Sequence, residues 1–402
     1  MQVKQKNKIS IYFSLILIVL FLINPLISIL LGVFFVSITS KEVIYSNNVP
    51  KTVIVLCVLF VCCMNAQKVP ASDLEGYVRV FHNATKLSLF EFLSDTNNKE
   101  PAFYTLTWCI NRLTFSNEFC YKFIISLLCY IFLNIAVYKF FYRICRDVRL
   151  LLFGIILVNF IPYIFISSMH LIRQYLAASL FMFVLVDKLF YNKRHYFFVI
   201  LMLFIHSTTF LFIPFLFWNS LGKPFRECKG RYIIILVLLF SVQLVSSFLI
   251  RIPFIGETIF AYALNRASKR TTFDLGEMSF FQIGLVFLLF ILSYIVAYIK
   301  IKTIKPNFAI KHFFNIICLL CLFILSVHQQ SELSMRFLFY TYLFIPFIAI
   351  TLFRNAKKSV TRLFPFISVF LIIFWVYYLE EGPWTYLGSS DVWRTPLFLY
   401  FF

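Results

Sequence analysis

The chain has 402 residues, of which 61% are hydrophobic and 13% charged, with a mean hydropathy of +0.88. A water-soluble domain needs more polar surface than this composition supplies, so a soluble globule is excluded. The net charge of +20 does not point to nucleic acid, because Lys and Arg lie in short loops between apolar runs and form no basic stripe interleaved with aromatics.

Apolar runs recur at 11–23, 119–138, 150–166, 232–250, 280–299 and 363–379. Each approaches the roughly 20 helical residues that cross about 30 Å of hydrocarbon. The alternation of a membrane β-barrel is absent. The expectation is one all-α polytopic integral membrane domain over 1–402, with about 11 to 14 membrane segments, short hairpins included.

From the N-terminus, Lys4, Lys6 and Lys8 precede an apolar run with no small-residue cleavage site, which reads as a retained anchor. Asn24-Pro25 then interrupts the stretch 10–40 between Lys8 and Lys41. Proline removes a helix donor, so a membrane hairpin turning there is predicted. Segment 67–118 sets Lys68, Arg79, Lys86, Lys99 and Arg112 against Asp73, Glu75, Glu91, Asp95, Glu100 and Glu118. Being near neutral, it is assigned to the outer face. Asn83-Ala84-Thr85 matches a glycosylation sequon, a short pattern frequent by chance.

Four later segments, 139–149, 188–194, 300–311 and 354–362, carry largely unopposed positive charge and are predicted to be cytoplasmic. Residues 196–218 span about one membrane thickness, yet both flanks are basic. A hairpin of two short helices turning near His206 keeps both flanks inside. The outer face then receives 67–118, 167–173, 251–279, 328–336 and the C-terminal segment from Glu380. The ten cysteines lie almost entirely in apolar runs, among them Cys57, Cys62, Cys63, Cys129, Cys318 and Cys321, and read as small buried hydrophobes.

Ionisable residues near membrane segments are costly and face a partner or a cavity. At 169–178 a helix is predicted to open with His170, Arg173 and Gln174 on one face, followed by the small Ala177 and Ala178. His328, Glu332 and Arg336 are spaced by four and four, one stripe if the stretch is helical. Loop 251–279 holds Arg251, Arg266, Lys269 and Arg270, an excess of positive charge on the outer face that suits an anion. In 67–118, Asp73, Tyr77, Glu100, Tyr104 and Trp108 pair carboxylates with aromatics, a combination that suits sugar rings.

These residues belong to a set: Ser72-Asp73-Leu74-Glu75-Gly76-Tyr77, Glu100-Pro101-Ala102-Phe103-Tyr104, Ile172-Arg173-Gln174-Tyr175-Leu176-Ala177, His206-Ser207-Thr208-Thr209 and Met335-Arg336-Phe337. In order and spacing, over roughly 65 to 350, the set resembles the EpsG-type branch of the O-antigen and capsule polymerases, the Wzy proteins. The chain departs from the family pattern before Asp73, where no glycine stands, and at Met335, where an acidic residue is usual.

The resemblance implies a helical membrane fold similar to GT-C-type glycosyltransferases. It implies transfer of a growing glycan from undecaprenyl pyrophosphate onto the next lipid-linked repeat, at the periplasmic face of the bacterial inner membrane. The partners implied are donor and acceptor lipid-linked oligosaccharides, membrane lipid and a chain-length regulator protein, with no nucleic acid. Arginines can neutralise a departing diphosphate, so no metal or other cofactor is expected. The acceptor hydroxyl needs a base. Arg173, Arg336 and at least one of Arg266 and Arg270 are assigned to the pyrophosphates. His170 is the first choice of base, with Asp73, Glu100 and Glu332 behind it. Gln174, Tyr77, His206 and His328 are placed along the substrate groove, His206 also as the residue holding its turn. A flippase for the same lipid-linked sugar, a membrane acyltransferase and an O-antigen ligase stand as alternatives. A flippase is expected to show internal repeats, and no convincing repeat relates the two halves.

Overall fold

The computed structural model describes residues 2–38, 48–71, 73–96, 100–145, 147–223, 278–298, 307–328 and 331–381, with two isolated positions between 224 and 277. Among the described residues regular structure is helical. The order is α1 (Gln2–Ile23), α2 (Pro25–Ile38), α3 (Asn48–Ala66), α4 (Asp73–Asn83), α5 (Leu89–Asp95), α6 (Pro101–Leu113), α7 (Glu118–Ile144), α8 (Val148–Phe160) and α9 (Pro162–His170). There follow α10 (Ile172–Tyr191), α11 (Tyr196–Ile205), α12 (Ile213–Phe217), α13 (Phe280–Tyr298), α14 (Asn307–Ser326), α15 (Ser331–Phe353), α16 (Lys358–Thr361) and α17 (Phe364–Glu381). Among the described residues seven spans are long and apolar enough to cross a membrane, one further span is broken, and four apolar helices are shorter. The protein is an all-α polytopic membrane protein.

Both expected hairpins have a local cause. At Asn24 the side chain accepts the Ile27 N–H at 3.0 Å and caps α2, whose first residue is Pro25. The helices then lie side by side, with Phe13 and Phe35 stacked at 3.7 Å and Ser28 Oγ donating to the Leu17 carbonyl at 2.7 Å. The second hairpin stops α11 at His206, whose backbone is extended (φ −156°, ψ 128°). A 3₁₀ turn over Ser207–Leu211 and α12 bring the chain back. Lys188, at the far end of α10, has its ammonium 3.7 Å from the Phe217 ring centroid. Asn192, Tyr196, Val199, Phe217 and Asn219 line one cavity of about 360 Å³ with it, so the hairpin ends where it began.

The broken span is α8 with α9, bent by 46°. Ile161 precedes Pro162 and takes the extended backbone that proline imposes on its predecessor. The sequence run 150–166 carries this break inside it. Trp375 of α17 fills the bend, with ring centroids 5.3 Å from Phe160 and 5.0 Å from Phe165. In the bundle interior Asn134 and Asn159 exchange amide hydrogen bonds at 2.9 and 3.3 Å, satisfying polar groups that lipid could not. Small residues permit close approach: Ala177 and Ala178 are fully buried, and Gly154 packs on Ile350 and Val137.

α7 and α10 run in the same direction, since Tyr130 at the middle of α7 packs on Tyr175 near the start of α10, and Lys139 pairs with Asp187 further along both, near their ends. At that second end Asp187, 1% exposed, accepts from Lys139 at 2.7 Å and from His195 at 2.8 Å. Tyr191 donates to the Lys139 carbonyl there. Lys188, whose ammonium stands over the Phe217 ring, belongs to the same end, and so does Lys311, next to His312, whose Nε2 lies 2.8 Å from the Phe215 carbonyl. The described parts of three segments predicted to be cytoplasmic by their charge, 139–149, 188–194 and 307–311, therefore meet at one end of the bundle, while 300–306 lie outside the described residues. The other end, about 20 Å along α10 from Asp187, is covered by α4 to α6.

Candidate functional site

α4 is amphipathic: Leu74, Val78 and Phe81 are buried while Asp73, Glu75 and Arg79 face outward. Asn111 of α6 donates to the Phe81 carbonyl at 2.7 Å, which ties α4 and α6 into one cap over the bundle. Glu100 is the N-cap of α6 and Pro101 its first residue, a position that tolerates a missing N–H. The Glu100 side chain makes no capping bond to its own helix and turns into the bundle instead.

There Glu100, 6% exposed, joins two distant elements. One carboxylate oxygen accepts from Nη1 of Arg173, the second residue of α10. The other lies 2.6 Å from Nδ1 of His206 at the hairpin tip. Arg173 Nε donates to the Tyr77 hydroxyl at 3.2 Å, and Nη1 reaches the Tyr104 hydroxyl at 3.4 Å. The guanidinium also sits over both rings, 5.3 and 6.0 Å from their centroids. Nε and Nη1 are thus committed to protein, while among the described residues no hydrogen bond engages Nη2. Burial pushes the Tyr77 phenol above its ordinary value, with the Arg173 charge opposing the rise, so its oxygen accepts from Arg173 while its hydrogen remains available to donate.

A second arginine stands nearby. Gln174 Nε2 donates to the backbone carbonyl of Arg336 at 2.7 Å, and the Tyr163 hydroxyl reaches the adjacent Met335 carbonyl at 3.4 Å. These contacts hold the first turns of α15 against α9 and α10. Arg173 and Arg336 both lie within electrostatic range of His206. Thr208, two residues past His206, meets the Tyr340 hydroxyl at 3.3 Å, one turn beyond Arg336.

The structure therefore brings Tyr77, Glu100, Arg173, Gln174, His206 and Arg336 together. Asp73 is exposed at the start of α4, on the rim, its charge felt at Tyr77. Two expected helix faces are not formed. The predicted helix from Met169 begins at Ile172, because the chain reverses at Leu171 (φ −111°, ψ 41°). His170 is instead the half-buried last residue of α9, on a different helix from Arg173 and Gln174. His328 lies in a turn after α14, bonded to the Leu325 carbonyl at 2.8 Å, and α15 begins only at Ser331. The stripe with Arg336 therefore does not extend back to His328. Arg266, Arg270 and the rest of 251–277, the side chain of Glu332 and the segment after Glu381 lie outside the described residues.

Sequence reasoning passed over a supporting layer. Lys68, 1% exposed, donates to the Phe165 carbonyl at 2.8 Å and stands 3.8 Å over the Phe165 ring. Burial holds its ammonium well below the usual lysine range. Asn65 donates to Ser126 and Ser168 at 2.7 and 2.9 Å, and Lys122 donates to the Lys68 carbonyl at 2.7 Å. Together they fix α9 against α3 and α7, just before the turn that presents Arg173. Lys68 reads in sequence as one more loop charge, and only its burial distinguishes it.

A family model described as the EpsG family matches residues 51–386. No curated protein and no solved structure matches the chain.

Proposed function

Because the chain belongs to the EpsG family, a Wzy-type polymerase family and hence polysaccharide polymerase-type membrane proteins, we infer that it lengthens an O-antigen or related surface glycan from undecaprenyl-diphosphate-linked repeats. The transfer takes place at the outer face of a bacterial inner membrane. The growing chain leaves its lipid diphosphate and is joined to a sugar hydroxyl of the next lipid-linked repeat.

The observation that carries this reading is Arg173, held by Glu100, Tyr77 and Tyr104 with the Nη2 edge of its guanidinium left uncommitted among the described residues. A sugar diphosphate departs as an anion, and a pre-oriented guanidinium stabilises that charge as it forms without reorganising. Arg336 on the neighbouring helix supplies the second positive charge. Diphosphate oxygens match the planar fork of arginine better than the point charge of lysine. Tyr77 and Tyr104 add ring faces and hydroxyls of the kind that border sugars. The position of this group supports an outward-facing site, since the lysine-rich segments gather at the opposite end and positive loops stay in the cytoplasm.

The test is the purified full-length protein in lipid nanodiscs, given a single defined undecaprenyl-diphosphate-linked repeat. A ladder of multiples of that repeat is expected. Recovery of the single repeat alone, or its movement across a bilayer without lengthening, overturns the assignment.

A further inference from the structure

The polymerase reading leaves open which group takes the proton from the acceptor hydroxyl. Sequence spacing favours His170, yet the geometry selects a different histidine. Resting on that reading, we propose that His206 is the general base and that Glu100 is the residue that orients it.

The tautomer follows from the bonding. Glu100 is paired with Arg173 and is therefore a carboxylate, able only to accept. Its contact with His206 Nδ1 then requires the proton on Nδ1, which leaves the lone pair on Nε2. This is the base-and-orienter arrangement that makes imidazole effective: one nitrogen is anchored to a carboxylate, and the other faces the group to be deprotonated. The backbone fixes the ring as firmly. The His206 N–H donates to the Met202 carbonyl at 3.0 Å, and its own carbonyl accepts from Thr209 at 3.1 Å. His206 is 6% exposed, so water is largely kept from the ring.

The hairpin gives an independent reason. A chain reversal inside the bundle leaves helix ends whose backbone groups must find partners away from water. Here the interruption places an ionisable side chain between two arginines and a carboxylate, where plain packing would need only an apolar one. Among the described residues the charged groups facing His206 are Glu100 from α6, Arg173 from α10 and Arg336 from α15. In the transfer, the acceptor oxygen forms a bond to the anomeric carbon of the donor sugar. The bond from that carbon to the diphosphate oxygen breaks, and its electron pair leaves with the lipid diphosphate beside Arg173 and Arg336. The hydroxyl proton passes to Nε2, and the imidazolium is stabilised by Glu100 until it returns the proton to solvent.

The test uses full-length protein in nanodiscs with the defined lipid-linked repeat. Initial rates of ladder formation are measured across pH, and undecaprenyl diphosphate itself is the binding probe. In His206→Asn the amide nitrogen takes the place of Nδ1 and keeps the bond to Glu100, but no proton acceptor remains. The rate is expected to fall roughly 10²- to 10⁴-fold, with diphosphate binding retained and the acid limb of the pH profile gone. Glu100→Gln is the second variant. Loss of the carboxylate charge makes the imidazolium less favourable, so the acid limb is expected at lower pH and the rate is reduced. Wild-type rate in His206→Asn, loss of diphosphate binding together with rate, or an unmoved acid limb in Glu100→Gln each overturns the proposal. Loss of the acid limb in His170→Ala but not in His206→Asn returns the role to His170. A wild-type protein that makes no ladder removes the polymerase reading itself, an outcome distinct from an active wild type beside an active His206→Asn.

Discussion

Glu100 and His206 are 106 positions apart in the chain, yet Oε1 of one lies 2.6 Å from Nδ1 of the other. The same carboxylate holds Arg173, so three elements distant in sequence meet on one buried side chain. Glu100→Ala leaves that arginine and histidine without their common partner. Stability is expected to drop by about 3–5 kcal/mol, the usual cost of stranding one member of a buried pair. Thermal unfolding in detergent checks it, and an unchanged midpoint contradicts the central role of the carboxylate.

Arg173→Lys keeps the charge but not the fork. Lysine carries three donors on a single nitrogen, so it cannot span Tyr77 and Glu100 with separate nitrogens and still present a planar two-donor edge to phosphate. A loss of about 10²-fold in polymerisation rate is expected, the scale seen when one donor to a developing anion is removed. The same change at Arg336 should act in the same direction. Glycan of normal length and rate from Arg173→Lys removes this residue from the diphosphate site.

Asp187 serves stability at the opposite end. With a side-chain exposure of 1%, it accepts from Lys139 and His195. Asp187→Ala strands Lys139 and His195 without their shared acceptor and should lower stability by about 3 kcal/mol or more. Polymerisation per folded molecule should stay unchanged, because the site lies about 20 Å away along α10. A specific loss of activity in folded protein would show coupling between the two ends.

Topology is open to labelling. Phe115 is 94% exposed in the turn between α6 and α7, and Lys193 lies in the turn after α10. Once the partly exposed Cys109 and Cys120 are replaced, a membrane-impermeant maleimide should reach Phe115→Cys in intact cells. It should reach Lys193→Cys only after permeabilisation. Labelling of both from one side contradicts the bundle, and reversed sidedness contradicts an outward-facing site.

The cap is predicted to loosen in acid. Ser88 Oγ accepts from the Glu91 N–H at 3.4 Å, and Glu91 Oε2 accepts from the Ser88 N–H at 2.8 Å, a reciprocal cap on α5. The hydrogen bonds from Ser88 hold the Glu91 carboxyl below its ordinary value near 4.5. A depressed folded-state value means that the stabilisation is present above the unfolded value and is lost as pH falls through the folded one. Hydrogen exchange of α5 amides, corrected for intrinsic rates, should therefore accelerate below about pH 4.5, and Glu91→Gln should abolish that dependence.

Much of the fold is legible in one dimension because its determinants are local. A run of apolar residues declares a helix long enough for the bilayer, Asn24-Pro25 declares a turn, and basic flanks on both sides of 196–218 demand an even number of crossings. The described residues show the long apolar helices, the turn at Asn24-Pro25 and the reversal at His206, while the run 232–250 lies outside them. The residues around Arg173 were also legible as polar groups in costly surroundings. Their grouping was not. Helical spacing placed His170 beside Arg173, but the reversal at Leu171 put them on separate helices. It joined His328 to Arg336 as well, although α15 starts only at Ser331. Spacing along a chain reports which side chains share a face while the helix lasts. It carries no information on which face meets which neighbour. That Glu100 turns away from its own helix to hold Arg173 and His206 depends on how α6, α10 and the hairpin pack, and packing is set by contacts between segments far apart in the chain.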